Sequence, residues 1–332
     1  MALTKKFSAL VIGLAALAML VGCGGRHDSD EHYYLVTANK SIPYWQAAGN
    51  GIIEGATQMK VHAEVVGPDT YDPANEKDEF HKLLSKSPKP SGILVSPADP
   101  EGMKPEIDAA IAAGIPVITV DTDSPNSNRL FFIGTNNYQA GQLGGQVAAK
   151  ALNGKGNVVV YTMPNQVNLE ERLHGYKDVF EKYPGIKITQ VIDIKGDPRI
   201  AFDQTQAMLD KKDNVDGFIC LEAQAGKEVA TVLDSNHLSG KKVIVAMDTD
   251  DKTLDWIKKG VIAATVAQKP YTMGYVGVKM LDDYHHSAAD IAKMASTKGP
   301  MSPLPAYVDT GATLVDKNNV DEIISAMQSQ KK

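Results

Sequence analysis

The chain has 332 residues, 34 basic against 40 acidic side chains and a formal charge of −6 at neutral pH. Its basic residues never run beyond pairs such as the terminal Lys331-Lys332, which argues against a nucleic-acid partner, and two cysteines exclude a disulfide-built scaffold. The length exceeds what one compact core usually fills, so two domains are expected.

Residues 1–22 read as a removable export signal. Lys5 and Lys6 precede an almost wholly apolar run from Ala9 to Val21, too short for a permanent membrane span. The run ends in Leu20-Val21-Gly22-Cys23, which resembles the bacterial lipoprotein cleavage box, so Cys23 is expected to become the lipid-carrying first residue. Residues 23–32 are polar and charged and read as a tether between lipid and fold. The other cysteine, Cys220, lies in an apolar run and reads as a small buried hydrophobe.

From Tyr33 onward the pattern alternates strand and helix. Strands are predicted at about 33–38, 61–66, 92–96, 115–120 and 130–133, with helices at about 43–59, 73–85 and 100–113 between them. Pro43, Pro73 and Pro100 each stand at a predicted helix start, where the missing N–H costs nothing. A second series follows, with strands at about 158–161, 186–192, 217–221, 243–247 and 261–266. Its helices fall at about 137–152, 169–182, 200–211, 226–238, 252–259 and 271–284. The apolar runs lack strict alternation, as strands buried on both faces require. The fold class is therefore α/β, with parallel sheets covered by helices on both sides.

Two stretches repeat one another. Gly92-Ile-Leu-Val-Ser leads through a helix to Ile115-Pro-Val-Ile-Thr-Val-Asp121-Thr-Asp123, and Gly217-Phe-Ile-Cys-Leu leads through another to Lys242-Val-Ile-Val-Ala-Met-Asp248-Thr-Asp250. A duplicated βαβ unit implies two similar lobes. Ligands of open parallel sheets sit outside the strand carboxyl ends, so Asp121 and Asp248 are placed across one cleft. The late Tyr307-Val308-Asp309 run needs a sheet to join. The chain is therefore expected to cross between lobes near 134–136, 267–269 and 300–306. This gives a first lobe of 33–134 plus 268–300 and a second of 135–267 plus 301–332, able to close about a hinge.

Motifs over about residues 33–325 resemble the substrate-binding lipoproteins of sugar ABC importers, of the ribose- and galactose-binding, type I periplasmic binding protein kind. They are Pro43-Tyr44-Trp45, Ile115-Pro-Val-Ile-Thr-Val-Asp121, Gly134-Thr-Asn-Asn137, Glu171-Arg172-Leu-His-Gly175, Val245-Ala-Met-Asp248 and Ala263-Ala-Thr-Val-Ala-Gln268-Lys-Pro270. The resemblance implies two doubly wound lobes joined by a three-crossover hinge, and a site that needs neither catalytic residue, metal nor cofactor.

By this resemblance Tyr44 and Trp45 stand where aromatic rings stack on a sugar, removing apolar C–H surface from water. The alternative is that both pack into the core. Asp121 and Asp248 would accept hydrogen bonds from hydroxyls, while Asp123 and Asp250 suit turn-capping roles. Arg172 would fork between adjacent hydroxyls or a ring oxygen while pairing with an aspartate. Gln268 would serve the ligand, the hinge or both. Glu222 replaces an asparagine of many relatives and could accept from a hydroxyl or a cationic group. Thr37, Asn39 and Ser96, at the first and third strand ends, complete the set. Ile42, Thr122 and Gly196 stand where ribose-type relatives often carry asparagine, arginine and an aromatic, which argues against ribose itself.

Other features have plainer readings. Gly141, Gly144 and Gly145 would let helices pack closely, Gly154-Lys-Gly156 is a turn, and Trp256 belongs to an apolar helix face. His285-His286 reads as an exposed pair near a helix end, without a carboxylate or cysteine at metal-ligand spacing. The expected function is capture of a monosaccharide or polyol by lobe closure and delivery to an ABC permease. The protein would be a monomeric, lipid-anchored protein of the periplasm or cell envelope, and not an enzyme. A sensory protein presenting its ligand to a receptor, or an importer component for a furanosyl signal or another small polar solute, are the alternatives.

Overall fold

The computed structural model describes residues 27, 28, 30–295 and 303–330. The export signal and Cys23 lie outside the described residues. Among those described, no helix is long and apolar enough to cross a membrane.

The first sheet is built from β1 (His32–Thr37), β2 (His62–Val66), β3 (Gly92–Ser96), β4 (Val117–Val120), β5 (Phe132–Gly134) and β11 (Tyr307–Asp309). Its spatial order is β11-β5-β4-β3-β1-β2, and its pairs are parallel. The second sheet contains β6 (Lys155–Thr162), β7 (Gly185–Asp193), β8 (Gly217–Cys220), β9 (Val243–Met247), β10 (Ala264–Ala267) and β12 (Thr313–Asp316). Its order, β12-β10-β9-β8-β6-β7, repeats the first strand for strand, except that β12 runs antiparallel to β10. This is the duplication that the two Asp-Thr-Asp segments announce.

Each sheet has a core on both faces. Along β1, Tyr33 and Leu35 enter one apolar cluster with Ile52 and Ile118, while Tyr34 and Val36 enter another with Phe80 and Ile107. In the second sheet Val159 and Tyr161 face one way, and Val158 and Val160 the other. Period-two alternation thus serves two buried surfaces, which is why the sequence shows continuous apolar runs. Cys220 is fully buried in β8.

The helices start where local chemistry dictates. Helices α1 (Pro43–Met59), α2 (Pro73–Leu84), α3 (Pro100–Ala112) and α6 (Pro198–Asp210) all open on proline. Asp72, Asp99 and Asp197 accept first-turn N–H groups as caps, and Asn136 does so for α4 (Asn137–Ala151). The remaining helices are α5 (Val167–Phe180), α7 (Ala225–Ser235), α8 (Asp251–Lys258), α9 (Pro270–Ala295) and α10 (Val320–Gln330). Asp250 caps α8 through Lys252 and Thr253 N–H. Asp123 takes another role: its carboxylate is forked by Arg129 and accepts Thr119 Oγ1 at 2.6 Å.

Two helix pairs pack backbone to backbone. A Cβ at Gly51 of α1 would lie 2.0 Å from the Tyr271 carbonyl oxygen on α9, and one at Gly141 of α4 would lie 2.1 Å from the Arg172 carbonyl oxygen on α5. A Cβ at Gly144 would likewise lie 2.0 Å from the Tyr176 hydroxyl oxygen. The glycines of α4 therefore set the depth of the helix that carries Arg172.

Two expectations need correction. The tether was placed through residue 32, yet His32 opens β1 and Glu31 is buried. The Glu31 carbonyl already accepts His62 N–H, so the chain has joined the sheet there. The last crossing was placed near 300–306, with 301–332 in the second lobe. Instead Tyr307–Asp309 pairs with Phe132–Gly134 in the first sheet, with the Phe132 and Tyr307 rings stacked 5.4 Å apart. The chain changes sheets between Asp309 and Thr313.

Candidate functional site

The strands of both sheets deliver their carboxyl ends to one cleft of about 630 Å³, counting its open mouth. That size suits a small ligand. The two sheets have the 2-1-3-4-5 winding, whose order reverses between the first and third strands. Thr37 and Ser96 end those strands in the first sheet, and Met163 and Glu222 stand just past their counterparts in the second. All four line the cleft.

Asp121 and Asp248 follow β4 and β9 with matching geometry. Each has a left-handed backbone, φ 61° and 65°, and each donates its N–H to the neighbouring strand, to Ile133 O at 3.0 Å and Val266 O at 2.9 Å. Aspartate tolerates this conformation better than most L-residues, yet it remains a strained one. The same bend in both copies ends the strand and leaves a carboxylate on the cleft wall.

Asp121 is buried. Its Oδ1 accepts the Tyr44 hydroxyl at 2.6 Å and its Oδ2 accepts Asn168 Nδ2 at 3.2 Å. Burial raises its pKa, and the Arg172 charge opposes this. Asp248 accepts Gln268 Nε2 at 3.1 Å. Burial pushes its pKa up to about 7, with the Asp121 charge adding to the rise and Arg172 again opposing it. The pair thus shares one electrostatic field, governed by a single buried guanidinium.

Arg172 is 2% exposed. Its Nε donates to Asn137 Oδ1 at 2.9 Å and its terminal nitrogens to Leu221 O at 2.8 Å and Gln268 Oε1 at 2.7 Å. These acceptors are neutral, so the expected direct aspartate pairing is replaced by a relay, Asn137–Arg172–Gln268–Asp248. Three of the guanidinium's five N–H groups are used this way, and two are left for a ligand acceptor. Gln268 stands just past β10, where the chain leaves the second sheet, so it serves crossing and site together.

All ten residues singled out in the sequence line this cleft: Thr37, Asn39, Tyr44, Trp45, Ser96, Asp121, Arg172, Glu222, Asp248 and Gln268. They do not stand alike. Tyr44 spends its hydroxyl on Asp121 and packs edge-on to Trp45, ring centroids 5.1 Å apart. Trp45 also packs against the first-lobe core. Glu222 accepts Gln224 N–H at 2.7 Å and Ala225 N–H at 2.6 Å, so its carboxylate caps α7 while forming cleft wall. Asn39 rises in importance: its Oδ1 is buried without a protein partner, an acceptor that a ligand hydroxyl would satisfy.

Sequence reasoning missed the residues that close the cleft. Tyr71 of the first lobe accepts Gln166 Nε2 of the second at 3.0 Å. Its ring lies against Gly196, where an added Cβ would stand 2.3 Å from Tyr71 Cγ. Asn168 bonds Asp121 across the same gap. Asn168 lies one turn before Arg172 on α5, so its place on the Arg172 face was a readable signal. Tyr71 carried none.

The description "periplasmic binding protein domain" matches residues 33–286. The chain is 26% identical to the D-apiose import binding protein of Paraburkholderia graminis over 293 residues, 85% of this chain and 88% of that one. Among solved structures it resembles a sugar-binding protein of a sugar ABC transporter from Bacillus halodurans. Identity there is 34% and the TM-score 0.75, over 88% of this chain and 99% of that one. A solute-binding protein from Burkholderia graminis, solved in complex with D-arabinose, is 30% identical with a TM-score of 0.77, over 88% and 98%. With duplicated doubly wound lobes around a shared cleft, and a family match across both, this chain belongs to the periplasmic binding protein family, whose members bind solutes rather than transform them.

Proposed function

We propose that this protein captures a monosaccharide or polyol between its lobes and delivers it to an ABC permease. The observation that carries the reading is the paired strand tips: Asp121 and Asp248, bent alike, line one cleft from opposite lobes, with Gln268 and Arg172 linked to Asp248. Such a set offers several buried acceptors, a forked donor and an amide with both functions, which is what a ring of hydroxyls requires. Trp45 supplies an apolar face beside it.

Closure follows from where the partners sit. Thr37, Asn39, Trp45 and Asp121 belong to the first lobe, and Arg172 and Asp248 to the second. A ligand bonded to both favours the closed state by that differential affinity alone. The three connections near 134–137, 267–270 and 309–313 form the hinge. The protein acts as a monomer in the cell envelope, held to the membrane by lipid on Cys23, with no nucleic-acid partner. Mass spectrometry of the envelope-extracted protein tests the anchor, with a diacylglyceryl Cys23 as the expected first residue.

The names of the relatives put pentoses at the head of the ligand panel. Calorimetric titration against pentoses, hexoses, sugar alcohols and amino acids tests the proposal. Single-site binding of one or a few sugars or polyols is expected. Binding of amino acids alone would overturn it.

A further inference from the structure

At the opposite end of β1 from the cleft, four side chains converge that the sugar site does not use. His27 Nδ1 lies 3.7 Å from Glu31 Oε2 and 3.2 Å from Asp282 Oδ1. His286 Nε2 lies 3.2 Å from Glu31 Oε2 and 3.5 Å from Asp282 Oδ1. These four atoms all fall within 4.8 Å of one another. We propose that His27, Glu31, Asp282 and His286 form a binding site for a divalent transition metal of the zinc class.

The dimensions carry the first part of the argument. Zinc holds nitrogen and oxygen ligands at about 2.0–2.2 Å in a tetrahedron, so neighbouring ligand atoms stand about 3.3–3.6 Å apart, by the geometry of that same tetrahedron. Four of the six ligand-to-ligand distances run from 3.2 to 3.7 Å, and all six stay within 4.8 Å. Two imidazoles and two carboxylates suit zinc or its transition-metal neighbours better than calcium or magnesium, which prefer oxygen shells of higher coordination.

The second part is His27. Its Nδ1 is screened from solvent and makes no hydrogen bond, although two carboxylate oxygens lie close by. An imidazole nitrogen directed between two oxygens is poorly placed for a hydrogen bond and well placed for a shared cation. The carboxylates are also held from outside, as ligating groups commonly are. Asp28 N–H donates to Glu31 Oε1 at 2.7 Å, which leaves Oε2 on the cluster side, and the Tyr33 hydroxyl donates to Asp282 Oδ1 at 3.1 Å. Both carboxylates are buried.

Reading the sequence alone sets His285-His286 aside for want of a partner. That reading overlooks Asp282, one helical turn before His286 on α9, while folding brings Glu31 and His27 from the far end of the chain. A metal here would join residues 27–31 to α9 and fix where the polypeptide leaves the first lobe.

The test is calorimetric titration of the metal-stripped full chain with zinc chloride, with magnesium chloride as the hard-cation arm. Thermal unfolding is followed in parallel. One zinc per chain is expected, with a raised melting temperature, no response to magnesium, and roughly tenfold or greater loss of zinc affinity in both His27→Ala and His286→Ala. A His81→Ala/His174→Ala variant, altered at exposed histidines elsewhere, keeps full zinc binding. Should His286→Ala fold poorly, cobalt substitution in the unmodified chain reads the site directly, through the intense visible absorption of a four-coordinate ion. Absence of zinc uptake, uptake unchanged in both single-histidine variants, or a six-coordinate cobalt spectrum would overturn the proposal. Sugar binding by His27→Ala is expected to be unchanged, so this result and that of the sugar titration stand apart.

Discussion

Asp248 is the residue whose chemistry is most exposed to test. Its folded pKa of about 7 stands above the ordinary 3.8, chiefly because burial disfavours the charged form. The sign follows: in the ligand-free protein its contribution to stability is greatest below the ordinary carboxylate range and is lost as pH rises through about 7. A sugar hydroxyl donating to the carboxylate favours the ionised form. Affinity is therefore expected to strengthen as pH rises through about 7, with a proton released on binding. Calorimetry in buffers of different ionisation enthalpy measures that proton, and Asp248→Asn is expected to abolish it. Arg172→Ala and Asp248→Ala are each expected to weaken sugar binding at least tenfold, about 1.4 kcal/mol. A melting curve for each variant separates lost binding from lost folding, since Arg172 also holds Asn137 and the Leu221 carbonyl. The cleft positions of Asp121, Asp248 and Gln268 were legible because strand-end position is a local property, whereas that of Arg172, on α5, rested on the resemblance of its motif. Glu222 was less so. Its capping of α7 depends on a turn geometry that the residue type alone does not specify.

Elements rather than residues set the shape of the cleft. Close helix pairing, α4 on α5 and α1 on α9, requires glycine where backbones touch. Gly274→Val on α9 would drive a side chain into the Ala48 carbonyl oxygen, which a Cβ already meets at 2.1 Å. A stability loss of about 1–3 kcal/mol or more is expected from such overpacking, measured by denaturant unfolding. Gly196→Val is expected to act differently. Its backbone φ of 72° disfavours a β-branched residue, and its side chain would strike the Tyr71 ring across the cleft. Weakened sugar binding with folded lobes is expected, and Tyr71→Ala in the same chain is expected to restore part of it. Strand and helix positions up to α9 were readable from apolar runs, prolines and caps, while β12 and α10 were not foreseen. The three-residue strand at Tyr307–Asp309 was not assigned to its sheet, because so short a run has no periodicity to compare. Its partner is equally short, and only the assembled sheet decides the pairing.

At the scale of the whole molecule, duplication explains most of what was foreseeable. One βαβ pattern read twice gives two lobes of like winding, and strand direction then places both acidic tips on a common gap. The side-chain contacts that bridge the gap between those lobes were not foreseeable. Tyr71 with Gln166, and Asp121 with Asn168, are contacts between distant segments that exist only once the gap has closed. The same holds for His27, Glu31, Asp282 and His286, whose convergence is a product of tertiary structure. Small-angle X-ray scattering is expected to show a smaller radius of gyration with sugar than without, and no such change in the Gly196→Val variant. The most direct measurement is a crystal structure of the protein with the sugar or polyol that calorimetry selects. Density for that ligand is expected between the lobes, hydrogen-bonded to Asp248 and Arg172 on one side and to the first lobe's Asp121 or Asn39 on the other. A ligand bound to one lobe only, or outside the cleft altogether, would contradict capture by closure.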